Sequence, residues 1–132
     1  MSQETVELVR SFYERGRATG RLPVDVLDPN VEWHGCPGLP ESGTQRGRNA
    51  VAACLGDWFR SFANLAVDVE DFLDRGGCVV VPMVMRGPIR SSDEVLEMLP
   101  ETHVWKVQEG YAVEVREYWT KDEALEAVAL TE

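Results

Sequence analysis

The side chains best suited to acid–base chemistry are the two histidines of the chain, His34 and His103. A neutral imidazole accepts a proton near neutral pH and its protonated form donates one, so either residue can take part in proton transfer. Two histidines alone fall short of a three-ligand catalytic metal site, and no metal is expected. The cysteines at positions 36, 54 and 78 have neither paired-ligand spacing nor a matched base, which indicates small hydrophobes rather than nucleophiles or disulfides.

Charge and composition restrict the partners that such chemistry can serve. The 132 residues include 13 Lys+Arg against 23 Asp+Glu, and the formal net charge is −10. Residues 66–132 hold 15 of the acids and 6 of the bases, so the excess lies in the second half. A field of this sign repels phosphate backbones and anionic membranes, and neither nucleic acid nor a membrane is an expected partner. No glycine-rich phosphate loop follows a strand-like segment, so no nucleotide cofactor is expected.

Length and composition predict one domain over residues 1–132, since 44% hydrophobic residues suffice for a single core. No apolar run approaches the roughly 18 residues of a membrane span. The first residues lack the basic start and apolar stretch of a signal peptide. With an odd number of cysteines, these features favour a cytoplasmic location.

The elements that must position the histidines follow from hydrophobic periodicity. Helical spacing predicts an amphipathic first helix that ends between residues 16 and 20, a short helix over 23–27 and a long one over 48–62. Thr120 and Glu123 form a capping box that opens a last helix through residue 129. Alternation predicts a brief strand over 31–34 and longer strands over 65–73, 78–86, 102–108 and 112–119, with an irregular loop over 35–47. Pro82 indicates a bulge or an edge inside its strand. This order predicts an α+β fold with a curved antiparallel sheet.

Short sequence words in this order carry a family resemblance. They are Phe12-Tyr13-Glu14, the run from Asp28 to His34, Arg46-Gly47-Arg48, His103-Val104-Trp105, the run from Arg116 to Trp119, and Glu123-Ala124-Leu125. Together they resemble the SnoaL-like branch of the nuclear transport factor 2-like superfamily, which is related to polyketide cyclases and ketosteroid isomerases. The resemblance implies a cystatin-like α+β barrel, in which a bent sheet wraps around helices to form a cone with an internal pocket. It also implies a homodimer through the sheet.

The resemblance to ketosteroid isomerases implies positions for the chemistry. Matching places His34 at the base position after the first strand, Tyr13 at the tyrosine of helix one, and His103 at the acid of the penultimate strand. Glu117 is a fourth catalytic candidate, because a carboxylate in an apolar cone is harder to ionise. Two of the three isomerase positions depart from the family's residue types, so steroid isomerase activity itself is not implied.

The same resemblance implies an apolar pocket wall that suits a polyketide, steroid or terpenoid. Its substrate-binding residues are Cys54, Leu55, Trp58, Val81, Met83, Met85, Trp105, Val115 and Trp119. Simpler interpretations remain open: Tyr13 can be a core residue, Glu117 can pair with Arg86 or Arg116, and a one-residue slip at Pro82 would turn the strand set outward.

Two functions are compatible with these residues. In the first, a cofactor-free isomerase or cyclase transfers a proton next to a carbonyl group, with His34 as base and Tyr13, aided by His103 or Glu117, holding the enolate oxygen. In the second, the chain is a non-catalytic domain that binds a hydrophobic ligand or forms dimeric contacts. An epoxide hydrolase is a third, weaker alternative, because its Asp-Arg-Asp arrangement has no place in this pocket.

Overall fold

The computed structural model describes residues 2–36, 43–60, 65–88 and 95–131. Within these ranges the chain forms three α-helices, α1 (Ser2–Thr19), α2 (Arg48–Arg60) and α3 (Lys121–Thr131). The same ranges contain strands β1 (Leu27–Gly35), β2 (Gly43–Arg46), β3 (Ala66–Val69), β4 (Leu73–Asp74), β5 (Cys78–Pro88), β6 (Val95–Gln108) and β7 (Tyr111–Tyr118). A turn of 3₁₀ helix, Val24–Val26, precedes β1 where the sequence predicts a short α-helix.

The strands form one curved, open sheet in the order β2-β1-β7-β6-β5-β3, with β4 also paired to β5. The pairs are antiparallel except for β1 and β7, which run parallel. The pairings among the four strand runs predicted as hairpins are antiparallel, and the pair of β1 with β7 makes the sheet a mixed one. No hairpin joins β1 to β7, so the connection does not dictate their relative direction as a tight turn does.

The two faces of the sheet are covered by different helices. On the inner face, Val9 and Phe12 of α1 pack with Val51 and Leu55 of α2 in the main core. On the outer face, Ala124 and Val128 of α3 pack against strand residues 80 and 104. The predicted α+β fold, with a curved sheet wrapped on a helix, is confirmed.

Most predicted elements appear with shifted ends. The capping box of α3 is present: Glu123 N–H donates to Thr120 Oγ1 at 3.1 Å, and Thr120 N–H donates to Glu123 Oε1 at 3.1 Å. Strand β6 begins at Val95, seven residues before its predicted start, and the predicted loop contains β2. Residues 37–42 of that loop and residues 61–62 of the long helix lie outside the described residues. Within the described ranges, no helix combines the length and the apolar composition that crossing a bilayer requires.

Pro82 lies in the middle of the sheet without a bulge at its position. Strand β3 pairs with residues 83–86 of β5 and β4 pairs with residues 79–80, so Pro82 falls between the two pairings. A proline has no backbone N–H to donate. Between the β3 and β4 pairings, β5 does not need a donor at this position. Alternation along β5 is therefore unbroken through Pro82, and the register shift comes later, between Met85 and Gly87.

Candidate functional site

Four polar side chains meet on the inner face of the sheet: Tyr13 from α1, Glu101 and His103 from β6, and Glu117 from β7. We call them the interior polar group. Glu101 and His103 are alternate residues of one strand and share a face, and His103 lies directly opposite Glu117. Glu101, His103 and Glu117 are only 3%, 7% and 8% exposed. The sheet register thus brings three ionisable groups together in the protein interior.

His103 is the centre of the interior polar group. Its Nδ1 lies 2.8 Å from Tyr13 Oη, and its Nε2 lies 3.1 Å from Glu101 Oε1 and 3.7 Å from Glu117 Oε2. Trp105 Nε1–H donates to the same Tyr13 oxygen at 2.7 Å. One imidazole therefore connects a tyrosine hydroxyl to two carboxylates.

Glu117 accepts two further hydrogen bonds from the first strand region. Trp33 Nε1–H donates to Oε2 at 2.7 Å and the backbone N–H of Cys36 donates to Oε1 at 3.0 Å. An ionised carboxylate only accepts hydrogen bonds, so this arrangement suits the anion. Arg86 and Arg116 pair with other acids, Asp68 and Glu114 respectively. The ion pair expected as the alternative role of Glu117 is therefore made elsewhere.

Aromatic rings surround the interior polar group. Trp33 stands nearly perpendicular to the His103 ring, with centroids 5.5 Å apart, and to Trp105, at 5.7 Å. Phe12 meets Trp105 edge-on at 4.9 Å. These contacts keep water away, so the charges of the group interact more strongly than they would in solvent.

Burial and charge act on His103 in opposite directions. Burial lowers the pKa of His103, but the hydrogen bond to Glu101 and the charges of Glu117 and Glu101 outweigh it, and the pKa of His103 is raised above its ordinary 6.5. The imidazolium form is consequently favoured between the two carboxylates. Burial also raises the pKa of Tyr13 well above its ordinary value, against the opposing effect of the Trp105 hydrogen bond, so Tyr13 stays a neutral phenol.

The raised pKa of His103 predicts a pH-dependent contribution to stability. The imidazolium stabilises the fold fully below the unfolded value of about 6.5, and this stabilisation declines as pH rises through the folded pKa. We expect the difference in unfolding free energy between wild type and His103→Gln to be largest near pH 6 and smaller near pH 9. Denaturant unfolding at a series of pH values measures it. A difference that stays constant over this range would contradict the charged state assigned to His103.

His34 lies on the outer face of the sheet, and its expected inward orientation is wrong. Strand alternation turns Val31 and Trp33 into the core, and His34 therefore points the other way. Its Nδ1 is 2.9 Å from Thr44 Oγ1 and its Nε2 is 3.3 Å from Glu32 Oε1. Among the described residues, no hydrogen bond or ion pair joins His34 to Tyr13, His103 or Glu117.

The predicted pocket-wall residues occupy different environments. A first set packs together in the main core, and Met85 is also buried. The first set consists of Leu55, Val81, Met83, Trp105 and Val115. Cys54, Trp58 and Trp119 are half-buried. The binding of a ligand by these nine residues stays a prediction.

Sequence reasoning missed Glu101, Trp33 and Cys36. Glu101 lies two residues before His103 and therefore shares its face of the strand. The predicted strand begins at residue 102, so Glu101 falls outside it. The signal for Trp33 was its alternation with Val31, which makes the apolar side of β1 the inner one. Cys36 contributes through its backbone N–H, for which the side-chain type carries no signal.

A surface depression of about 260 Å³ lies where β1 and β7 end, beside the start of α3. Its lining combines Glu117 with outer-face residues, among them His34, Arg116 and Tyr118. A second depression of about 280 Å³, at the opposite end of the sheet, is lined by residues such as Thr5, Leu8 and Val107. Of the four residues in the interior polar group, Glu117 is the one that borders the first depression.

Two sets of side chains bring possible metal-ligand atoms within 4.8 Å of one another in the described residues. One is Cys36, Glu101 and Glu117 in the interior, and the other is Glu32, His34 and Glu114 on the outer face. In the interior set both carboxylates already face the His103 imidazole, whose charge balances one of them.

The curved mixed sheet packed on α1, with polar groups on its concave side, is the cone fold of the nuclear transport factor 2-like superfamily. Within it, the profile of the SnoaL-like domain family matches residues 9–115, and the chain belongs to this family. The matched region includes Tyr13, Glu101 and His103 and ends two residues before Glu117. Comparison with curated proteins gives no match.

Solved structures share the same fold. An NTF2-like protein from Burkholderia thailandensis E264 has a TM-score of 0.78 at 18% identity, covering 92% of this chain and 95% of its own. A protein from Jannaschia sp. CCS1, described as a SnoaL-like polyketide cyclase, has a TM-score of 0.73 at 20% identity, covering 96% and 92%. TerC, co-crystallised with polyporic acid, has a TM-score of 0.74 at 17% identity, covering 96% and 98%. At these identities the similarity is one of fold.

Proposed function

We propose that the chain binds a largely apolar carbonyl compound and catalyses cofactor-free proton transfer next to the carbonyl group. The observation that carries this proposal is the hydrogen bond between Tyr13 and His103, backed by two carboxylates in an apolar interior. A neutral donor that meets a developing enolate oxygen, together with a nearby carboxylate base, is the minimum apparatus for such a reaction.

Tyr13 is the group proposed to hold the enolate oxygen. When His103 is an imidazolium, its Nδ1–H and the Nε1–H of Trp105 both donate to Tyr13 Oη. These two bonds occupy the lone pairs of the oxygen, so the hydroxyl proton must point to another acceptor. A substrate carbonyl oxygen is an acceptor of this kind, and the positive imidazole behind Tyr13 strengthens the donation.

Glu117 is the group proposed to take the proton. It borders the 260 Å³ depression, whereas Glu101 is bound to His103 and more deeply buried. The carbon–hydrogen bond breaks, the proton moves to a Glu117 oxygen, and the electron pair moves onto the carbonyl oxygen beside Tyr13. Return of the proton to another carbon completes an isomerisation. In an aldol-type closure the enolate carbon attacks a second carbonyl carbon, and the oxygen of that carbonyl takes the proton back from Glu117. Glu117 replaces His34 as the proposed base because His34 lies on the other face.

The similar proteins support a ligand of this class. One structural neighbour is described as a polyketide cyclase, and another was co-crystallised with polyporic acid. These descriptions belong to those proteins, and for this chain they favour an apolar organic ligand over a nucleotide or a peptide.

A non-catalytic domain, for hydrophobic-ligand binding or dimeric contacts, is the second candidate. It is favoured by the tight packing of the interior, where Val81, Trp105 and Val115 are fully buried. In that case the interior polar group is a satisfied core network that fixes the positions of α1, β6 and β7.

Deuterium exchange into ketones separates the two candidates. Wild-type protein is incubated in D₂O with a panel of cyclic ketones and 1,3-diketones, and loss of the proton next to the carbonyl is followed by ¹H NMR. Exchange faster than in buffer, abolished by Glu117→Gln but retained by the exposed-site control Glu126→Gln, supports catalysis. Ketone binding without any exchange above buffer contradicts catalysis and supports the non-catalytic domain.

A further inference from the structure

We propose that the outer face of the sheet binds a divalent first-row transition metal ion, of the zinc type, through Glu32, His34 and Glu114. We call these three residues the outer-face triad. Glu32 on β1 lies directly opposite Glu114 on β7, and His34 is the next residue of β1 on the same face. One possible ligand atom from each lies within 4.8 Å of the other two. The parallel pairing of β1 and β7 thus gathers three metal-binding groups into one cluster.

The orientation of His34 is the observation that points to an ion. Its Nδ1 lies 2.9 Å from Thr44 Oγ1 on β2, which fixes the ring. Its Nε2 is shielded from solvent and has no hydrogen-bond partner among the described residues. Glu32 Oε1 is 3.3 Å away, yet the geometry is not that of a hydrogen bond. A cation between the imidazole nitrogen and the carboxylate would satisfy both. The Thr44 hydroxyl would hold the other ring nitrogen, as outer partners do for metal-binding histidines.

In the described part of the chain, Glu32 and Glu114 each have one carboxylate oxygen that is not bound by an arginine. Arg46 Nε lies 3.3 Å from Glu32 Oε2, and Arg116 Nε lies 2.7 Å from Glu114 Oε1. Each arginine engages one oxygen of its partner, which leaves the other oxygen of each carboxylate for the ion. Two acids directly opposite each other in a sheet repel. A divalent cation between the acids would offset this repulsion.

The donor set selects the class of metal. One imidazole with two carboxylates suits zinc and related first-row ions, whereas magnesium and calcium prefer oxygen ligands alone. The three side chains are 37%, 21% and 31% exposed, so water can complete the coordination. The sequence alone predicts no metal because its two histidines, His34 and His103, are too few for a site. The structure places them on opposite faces and brings Glu32 and Glu114 beside His34. This inference does not depend on the proposed function.

Zinc titration of metal-free protein tests the proposal. The affinity is measured by competition with a chromophoric chelator, and ¹H–¹⁵N spectra of the imidazole rings report which histidine responds. We expect one zinc ion per chain and a shift of the His34 signals, with those of His103 unchanged. His34→Ala and Glu114→Gln should each weaken binding at least tenfold, and Thr44→Val by about 10–100-fold, as outer-shell losses do.

Glu109→Gln, which removes an exposed acid at the turn between β6 and β7, is the matched control and should bind zinc like wild type. Unchanged affinity in His34→Ala would overturn the proposal. So would a zinc-dependent shift of His103, which would place the ion in the interior. Zinc binding is measured without a ketone, and ketone exchange is measured with excess EDTA, so each proposal can fail alone.

Discussion

Replacing Glu117 with alanine should lower the free energy of unfolding by about 3 kcal/mol. The change removes the acceptor of two hydrogen bonds, from Trp33 Nε1 and from the backbone N–H of Cys36. Hydrogen bonds to a charged group contribute about 1.5–3 kcal/mol each, and the stranded donors stay buried. Relief of the repulsion between Glu117 and Glu101 offsets part of this loss. Denaturant unfolding at neutral pH measures the effect.

Two variants calibrate this result. Glu117→Gln keeps one oxygen acceptor and should lose less stability than the alanine variant. Glu126→Ala, on the exposed side of α3, should stay within about 0.5 kcal/mol of wild type. If Glu117→Ala had the same free energy of unfolding as Glu126→Ala, the hydrogen bonds from Trp33 and from the Cys36 backbone N–H would not stabilise the fold.

Replacing Tyr13 with phenylalanine should slow ketone proton exchange by about 10²–10³-fold, the usual cost of losing one donor to a developing oxyanion. The ring remains to pack against Phe12 and Trp105, but the hydroxyl that joins His103 to Trp105 is lost. Exchange rates are compared at a temperature at which unfolding curves show that both proteins are folded.

The matched control is Tyr111→Phe, because Tyr111 is 43% exposed and lies outside the interior polar group. Its exchange rate should equal that of wild type. Ketone affinity should change much less than the rate in Tyr13→Phe, since the hydroxyl acts mainly on the charged intermediate. An exchange rate close to that of wild type in Tyr13→Phe would remove Tyr13 from the proposed chemistry.

The fold follows from the sequence because its periodicities are strong. Apolar spacing over α1 and α2 and alternation over β5 and β7 are properties of consecutive residues, so they can be recognised without tertiary information. The short polar strand β2 has no such alternation. Its position comes from pairing with β1, which is a tertiary interaction.

The site is predicted where the family resemblance and the local pattern of the chain agree. Tyr13, His103 and Glu117 are identified from matched words and strand parity, and the structure brings these three together. The inward orientation predicted for His34 came from the resemblance to ketosteroid isomerases. The apolar pattern of its own strand, in which Val31 and Trp33 face inward, indicates the opposite orientation. A backbone donor has no side-chain signature, so the role of the Cys36 N–H cannot be recognised before the chain is folded.

The parallel pairing of β1 with β7 has a consequence for the order of folding. Strands β5, β6 and β7 pair between neighbours in the chain, whereas Trp33 and Glu117 are separated by 84 residues. Contacts at such separations have a high entropic cost of loop closure and are expected to form late. Glu117 receives its donors from Trp33 and Cys36 only when β1 docks. We therefore expect the interior polar group to be completed late in folding, when β1 docks onto β7.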